Sequence, residues 1–118
     1  MGMTTITAKV SNPADSSRSA EVKFLVDSGA GFSVVPSSTL QQLGIEPRRR
    51  KEFDMVDGQS ISRQIGAAMF EYQGELTVAP VIFGEEGDAT LMGATTLEGM
   101  GLVLDPLRRE LRPMKLRI

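Results

Sequence analysis

The chain has 118 residues, 41% apolar and 24% charged, with 13 basic and 15 acidic side chains for a net charge of −2. That is one domain's worth of chain, residues 1–118, with no implied polyanionic partner. Neither Cys nor His occurs, which excludes disulfides, thiolate nucleophiles, His-based triads and the usual zinc sites, and leaves carboxylates to do any acid–base work.

The start, MGMTTITAKV, lacks the basic-then-apolar pattern of a signal peptide, and Ile6 stands where a myristoylation signal wants Ser or Thr. No run approaches the roughly twenty apolar residues of a bilayer span. A soluble, cytoplasmic protein without a membrane or nucleic-acid partner is therefore expected. Ile6, Ala8 and Val10 alternate over residues 4–10, the period of a strand. SNPADSSRS, 11–19, reads as a turn or mobile loop, and Glu21 to Val26 as a second strand joined to the first by a wide hairpin. Gly29 and Gly31 interrupt the strand pattern after Asp27. Val34-Val35 form a short apolar segment that Pro36 stops. Ser38 and Gln41 have capping-box spacing for a short helix carrying Leu40 and Leu43, with Gly44 at its C′ position. PRRRK, 47–51, has no interleaved aromatics and reads as a solvated charge run.

From Phe53 onward the pattern is β-rich. Asp57-Gly58 predicts a two-residue hairpin turn between FDMV and QSISRQI, and Gln73-Gly74 a second between MFEY and ELTVAPVIF. GEEGD, 84–88, reads as an acidic solvated tip. Ala89 to Met92 is apolar and ends at Gly93. A short helix is expected over about Thr95–Glu98, closed by Gly99 and Gly101. Residues 101–114 read as two strand arms around a turn near Asp105–Arg109. Pro113 excludes a continuous helix through the basic tail LRRELRPMKLRI. No βαβ rhythm and no internal repeat appears, so the fold expected is all-β with one or two short helices.

FLVDSGAGFSVVP, 24–36, ends a hydrophobic strand on an acid. Burying a charge is costly unless something answers it. Gly29 lets the backbone turn and leaves its N–H free for the Asp27 carboxylate. Ser28 can donate a hydroxyl hydrogen bond across an interface, and Ala30 is small enough for close approach. Such a setting preorganises a carboxylate. One carboxylate is a weak hydrolytic catalyst; two that share a proton supply a general base and a general acid together. The chain has one such arrangement, so a two-fold homodimer would supply the second.

These residues resemble the retroviral-like (retropepsin-like) aspartic proteases, half-sized homodimeric relatives of pepsin. Phe24 to Ala30 matches the family's hydrophobic-Asp-Ser-Gly-Ala run, and Ser33 to Pro36 matches its Ser-then-aliphatic segment. Residues 53–65 match its flap hairpin, and Leu91-Met92-Gly93 its aliphatic-aliphatic-Gly motif, in that order over most of residues 4–113. The resemblance implies a closed, barrel-like retropepsin-type fold. It implies Asp27 as the catalytic acid of an aspartic endopeptidase, with Ser28, Gly29 and Ala30 supporting its loop. It gives Val56, Asp57, Gly58, Gln59 and Ser60 to a flap lining the substrate cleft, and lets Gly93 pass close behind the catalytic loop. A peptide or protein substrate is implied, with no cofactor and no metal.

Other readings stay open beside it. Asp27 can serve only to cap a turn. Gly29-Ala30-Gly31 lacks the rest of a phosphate-binding loop. Asp57 and Asp105 are turn formers, and the Met residues core filler. The alternative function is a catalytically idle protease-like domain used for dimerisation or peptide binding.

Overall fold

The computed structural model of the chain describes residues 3–115 and 117–118. The Met1-Gly2 start and Leu116 of the basic tail lie outside the described residues. Strands β1 (Thr5–Asn12) and β2 (Asp15–Val26) form one long antiparallel hairpin around Pro13-Ala14. No mobile loop separates them, contrary to the composition of residues 11–19. Asn12 Oδ1 accepts the Ala14 N–H at 2.8 Å, and Asp15 Oδ1 accepts the Ser17 N–H and hydroxyl at 3.1 and 2.6 Å. Residues 15–19 are exposed on both faces, so nothing apolar marks them as strand.

The hairpin also grips helix α1 (Ser37–Gln42). Asn12 Nδ2 donates to the Leu43 carbonyl and Arg18 Nη2 to that of Gln42, both at 2.9 Å. Gly44 ends the turn at φ 76°, as its C′ position requires. The Ser38–Gln41 capping box is not made; no side chain caps the helix start, and Ser37 instead donates to the Gly84 carbonyl at 2.9 Å.

The remaining elements are β3 (Ser33–Pro36), β4 (Arg49–Asp54), β5 (Ser60–Tyr72), β6 (Glu75–Gly84), β7 (Leu91–Met92), helix α2 (Ala94–Met100), β8 (Leu102–Asp105) and β9 (Glu110–Pro113). The solvated charge run therefore enters a strand: Arg49 to Lys51 lie in β4 with exposed side chains. The β5–β6 turn has positive φ at both Gln73 and Gly74, 49° and 85°, the primed turn their sequence predicts.

The expected closed barrel is not formed. Seven strands make one sheet in the order β1-β2-β7-β3-β6-β5-β4, and β8 and β9 form a separate two-stranded sheet. The physical reason lies in β5. One of its edges pairs with β4 over residues 60–65 and with β1 over residues 69–71. Residues 66–68 pair with neither on that edge, so the ladder folds over without sealing, and β4 stays an outer strand. The result is a mostly-β fold with two short helices. Phe24 and Phe70 meet in its core at 6.0 Å between ring centroids, among Val10, Val35, Leu40 and Met92, all fully covered. Among the described residues, no helix is long and apolar enough to cross a membrane.

Candidate active site

The end of β2 is held on both edges. The Val26 N–H donates to the Thr4 carbonyl at 2.8 Å, and the N–H groups of Leu25 and Asp27 donate to the Thr90 and Met92 carbonyls at 2.9 Å. Beyond Val26 the chain turns sharply. The Ala30 N–H closes the turn on the Asp27 carbonyl at 3.1 Å, and the Gly29 N–H donates to Asp27 Oδ1 at 3.0 Å. The half-buried carboxylate thus has one oxygen fixed by a backbone donor within its own loop.

The loop is pinned from behind by the start of α2. The first N–H groups of a helix lack intrahelical partners, and here those of Ala94 and Thr95 donate to the Ala30 and Gly31 carbonyls at 2.7 and 3.0 Å. Only glycine fits at position 93: a β-carbon there would lie 2.6 Å from the Phe32 carbonyl oxygen and 2.9 Å from that of Ala30. The Gly93 N–H donates to Ser33 Oγ at 3.0 Å, and the buried Ser33 and Thr96 hydroxyls share a hydrogen bond of 2.6 Å. Among the described residues, every buried side-chain polar atom behind the loop has a partner.

In front of this loop opens a cleft of about 620 Å³. Gly29 to Phe32 form one side of it, and Phe53, Met55 and Ile61 come from the hairpin formed by β4 and β5. Phe32 and Phe53 meet edge to face at 6.4 Å, tying the hairpin to the loop. Asp27 itself does not line this cleft; it lines a smaller hollow of about 270 Å³ with Thr4, Leu104 and Pro106.

Arg63 of β5 forms a two-pronged ion pair with Asp88 in the cleft wall. Nε reaches Oδ2 at 2.7 Å and Nη2 reaches Oδ1 at 2.9 Å. Asp88 Oδ2 also accepts the Glu85 N–H at 2.8 Å, and the Glu85 carboxylate lies 3.5 Å from Arg63 Nη1. The Arg63 guanidinium holds the Asp88 carboxyl below the usual carboxylate range, against the opposing effect of burial. The same bond raises the Arg63 pKa.

A family model described as gag-polyprotein putative aspartyl protease matches residues 17–99. The chain belongs to the retropepsin-like aspartic protease family. Solved structures share the fold of this retropepsin-like chain. EIAV protease in complex with the inhibitor HBY-793 is 15% identical with a TM-score of 0.64, over 99% of this chain and 94% of that one. The solution structure of Simian Foamy Virus (mac) protease is 19% identical with a TM-score of 0.56, over 80% and 91%. A retropepsin-like aspartic protease from Rickettsia conorii is 23% identical with a TM-score of 0.59, over 88% and 77%. No curated protein sequence matches the chain.

Within this retropepsin-like chain the candidate residues are distributed unevenly. Asp27, Gly29, Ala30 and Gly93 meet in one hydrogen-bonded unit, and Leu91 lines the cleft while Met92 is buried behind it. Ser28 is exposed on the loop. Val56, Asp57, Gly58, Gln59 and Ser60 are all exposed, and none lines the cleft. Their turn also differs from the expected one. The Gly58 N–H donates to the Met55 carbonyl at 2.9 Å, so Val56 and Asp57 are the central residues and Gly58 comes next at φ 88°. Asp57 caps the turn by accepting the Gln59 N–H at 2.9 Å.

The residues missed by sequence reasoning are Phe32, Phe53, Ile61, Arg63 and Asp88. Asp88, expected at a solvated tip, is engaged by Arg63 instead. Its partner lies 25 residues away, and no local pattern marks a pairing at that distance.

Proposed function

We propose that the chain is an aspartic endopeptidase whose active centre forms when two copies bring their Asp27 carboxylates together. Ser28, exposed at the loop, bridges the two copies by its hydroxyl. In this reading the pair shares one proton. The ionised carboxylate takes a proton from a water held between them, and the water oxygen attacks the peptide carbonyl carbon. The protonated carboxyl donates to the carbonyl oxygen, giving a neutral tetrahedral intermediate. That intermediate collapses as the amide nitrogen receives a proton and leaves as the amine. No bond forms between enzyme and substrate, and neither a metal nor a cofactor takes part. The Val56–Ser60 tip covers the bound peptide, which explains why a single chain leaves Val56 fully exposed.

The observation that carries the reading is the Gly29 N–H bond to Asp27 Oδ1, on a loop that α2 pins and whose Gly29 to Phe32 segment lines the cleft. A carboxylate that only capped a turn would not need its loop pinned by α2. The test is Asp27→Asn. Peptide cleavage should fall at least about a thousandfold, while light scattering still gives twice the chain mass. Undiminished cleavage by the variant, or a wild type that stays monomeric at every concentration, would overturn the proposal. A wild-type dimer that binds peptides and cleaves none of a diverse set would support the idle-domain reading instead.

A further inference from the structure

The Arg63–Asp88 pair joins two parts of the cleft wall. Arg63 lies on β5, the return arm of the hairpin. Asp88 lies in the segment leading to β7, and the Thr90 and Met92 carbonyls of that region hold the end of β2 beside Asp27. A planar guanidinium gripping a carboxylate at two points fixes both distance and angle, which a lysine cannot do. Arg63 also donates from Nη1 to the Ser62 carbonyl at 2.9 Å, so its side chain has no slack. The pair is partly buried, with side-chain exposures of 14% and 23%. Lys51, opposite Arg63 in the β4–β5 register, and Asp54 are the other charged residues lining the cleft.

Resting on the reading of this site as a peptidase, we infer that Arg63 and Asp88 form a latch that sets the width of the cleft. They thereby select the size of the substrate side chain seated against Ile61, Ile82 and Leu91. Both are positioning residues: they hold the wall in place and take no part in bond breaking. With the latch closed, the hairpin arm sits at a fixed distance from the strand that supports Asp27. Without it, the Phe32–Phe53 edge contact and the β5–β6 ladder from Ile65 onward remain, and the wall beyond Ile65 moves outward.

The experiment compares wild type with Asp88→Asn, Arg63→Met and Arg63→Lys, using peptides that carry Ala, Leu or Phe beside the scissile bond. For Asp88→Asn and Arg63→Met, KM for the preferred peptide should rise about tenfold. Their kcat should stay within about threefold, and preference should move toward the bulkier side chain. Arg63→Lys should recover part of the KM and not the preference. Unchanged KM and unchanged size preference would overturn the latch.

Amide hydrogen exchange over residues 49–65 reads the latch without any catalysis. It should speed up about tenfold in Arg63→Met while residues 24–36 keep their protection. Equal exchange in wild type and variant would overturn the latch even if no peptide were ever cleaved. If the peptidase reading alone fails, the exchange difference remains. Should Arg63→Met fail to fold, Asp88→Asn carries both measurements.

Discussion

The loop that carries Asp27 and the hairpin that overhangs it face the same cleft but are held by different physics. The loop is fastened by backbone groups and buried hydroxyls: Ala94 and Thr95 N–H on loop carbonyls, Gly93 N–H on Ser33, and Ser33 on Thr96. The two bonds of the Ser33 hydroxyl are buried. The hairpin has its turn hydrogen bonds, one edge-to-face aromatic contact and the ion pairs of Arg63 with Asp88 and Glu85, and its tip residue Val56 is fully exposed. In the proposed peptidase, a carboxylate that meets its twin within about one hydrogen-bond length needs the first kind of support. In the same proposal, a cover that admits and releases a peptide needs the second.

The largest test of this contrast falls on Gly93. Gly93→Ala puts a methyl group 2.6 Å from the Phe32 carbonyl oxygen, against backbone that cannot swing aside. Unfolding free energy should fall by about 3 kcal/mol, measured by urea denaturation. An unchanged midpoint would show that the loop yields, and the contrast would fail at its rigid end. Gly58→Ala makes a useful control, because a β-carbon there meets nothing within 4 Å and its cost is confined to the φ of 88°.

A smaller effect is expected at Thr96. Thr96→Val keeps the shape and removes the hydroxyl that meets Ser33 at 2.6 Å. Ser33 Oγ still accepts the Gly93 N–H, so one buried hydroxyl loses one of two partners. The expected loss is about 1.5 kcal/mol, again by denaturation, together with faster amide exchange at Gly93 and Ala94. A variant as stable as wild type would mean that backbone bonds alone hold the loop.

The same contrast governs what the sequence makes legible. The Asp27 loop reads clearly because its parts are local or carry their own mark. A hydrophobic strand ends on an acid, a glycine two residues later supplies the N–H, and Gly93 stands where no β-carbon fits. The turn at Gln73-Gly74 and the helix stops at Gly44 and Gly101 are legible for the same reason, since positive φ selects the residue. The hairpin side reads poorly. Phe53 looks like an ordinary arm residue until Phe32 is beside it. Asp88 looks solvated in GEEGD until Arg63 arrives from another strand. The β1–β2 hairpin is hidden because its outer half has water on both faces and so a loop's composition. The open sheet could not be read at all, because it depends on how β5 divides one edge between β4 and β1.

The smallest predicted effect is one that only the hairpin side should show. Asp88 has its pKa lowered first by the Arg63 hydrogen bond, with burial opposing and the Glu85 N–H adding to the fall. A carboxyl depressed in the folded state stabilises the fold above its unfolded pKa of about 3.9. That stabilisation is lost as pH falls through the lower folded value. Asp15 and Asp105 are lowered as well, so total stability against pH cannot isolate the latch. The difference between wild type and Asp88→Asn can. It should be flat above about pH 5, amount to at most about 1 kcal/mol for so partly exposed a pair, and shrink toward zero in stronger acid. The links behind the loop from Ser33 to Gly93 and Thr96 carry no titratable group, so wild type and Thr96→Val should differ equally at every pH. A constant difference for Asp88→Asn would mean that its carboxylate contributes shape alone. The hairpin would then be held as the loop is, by contacts that acid does not reach.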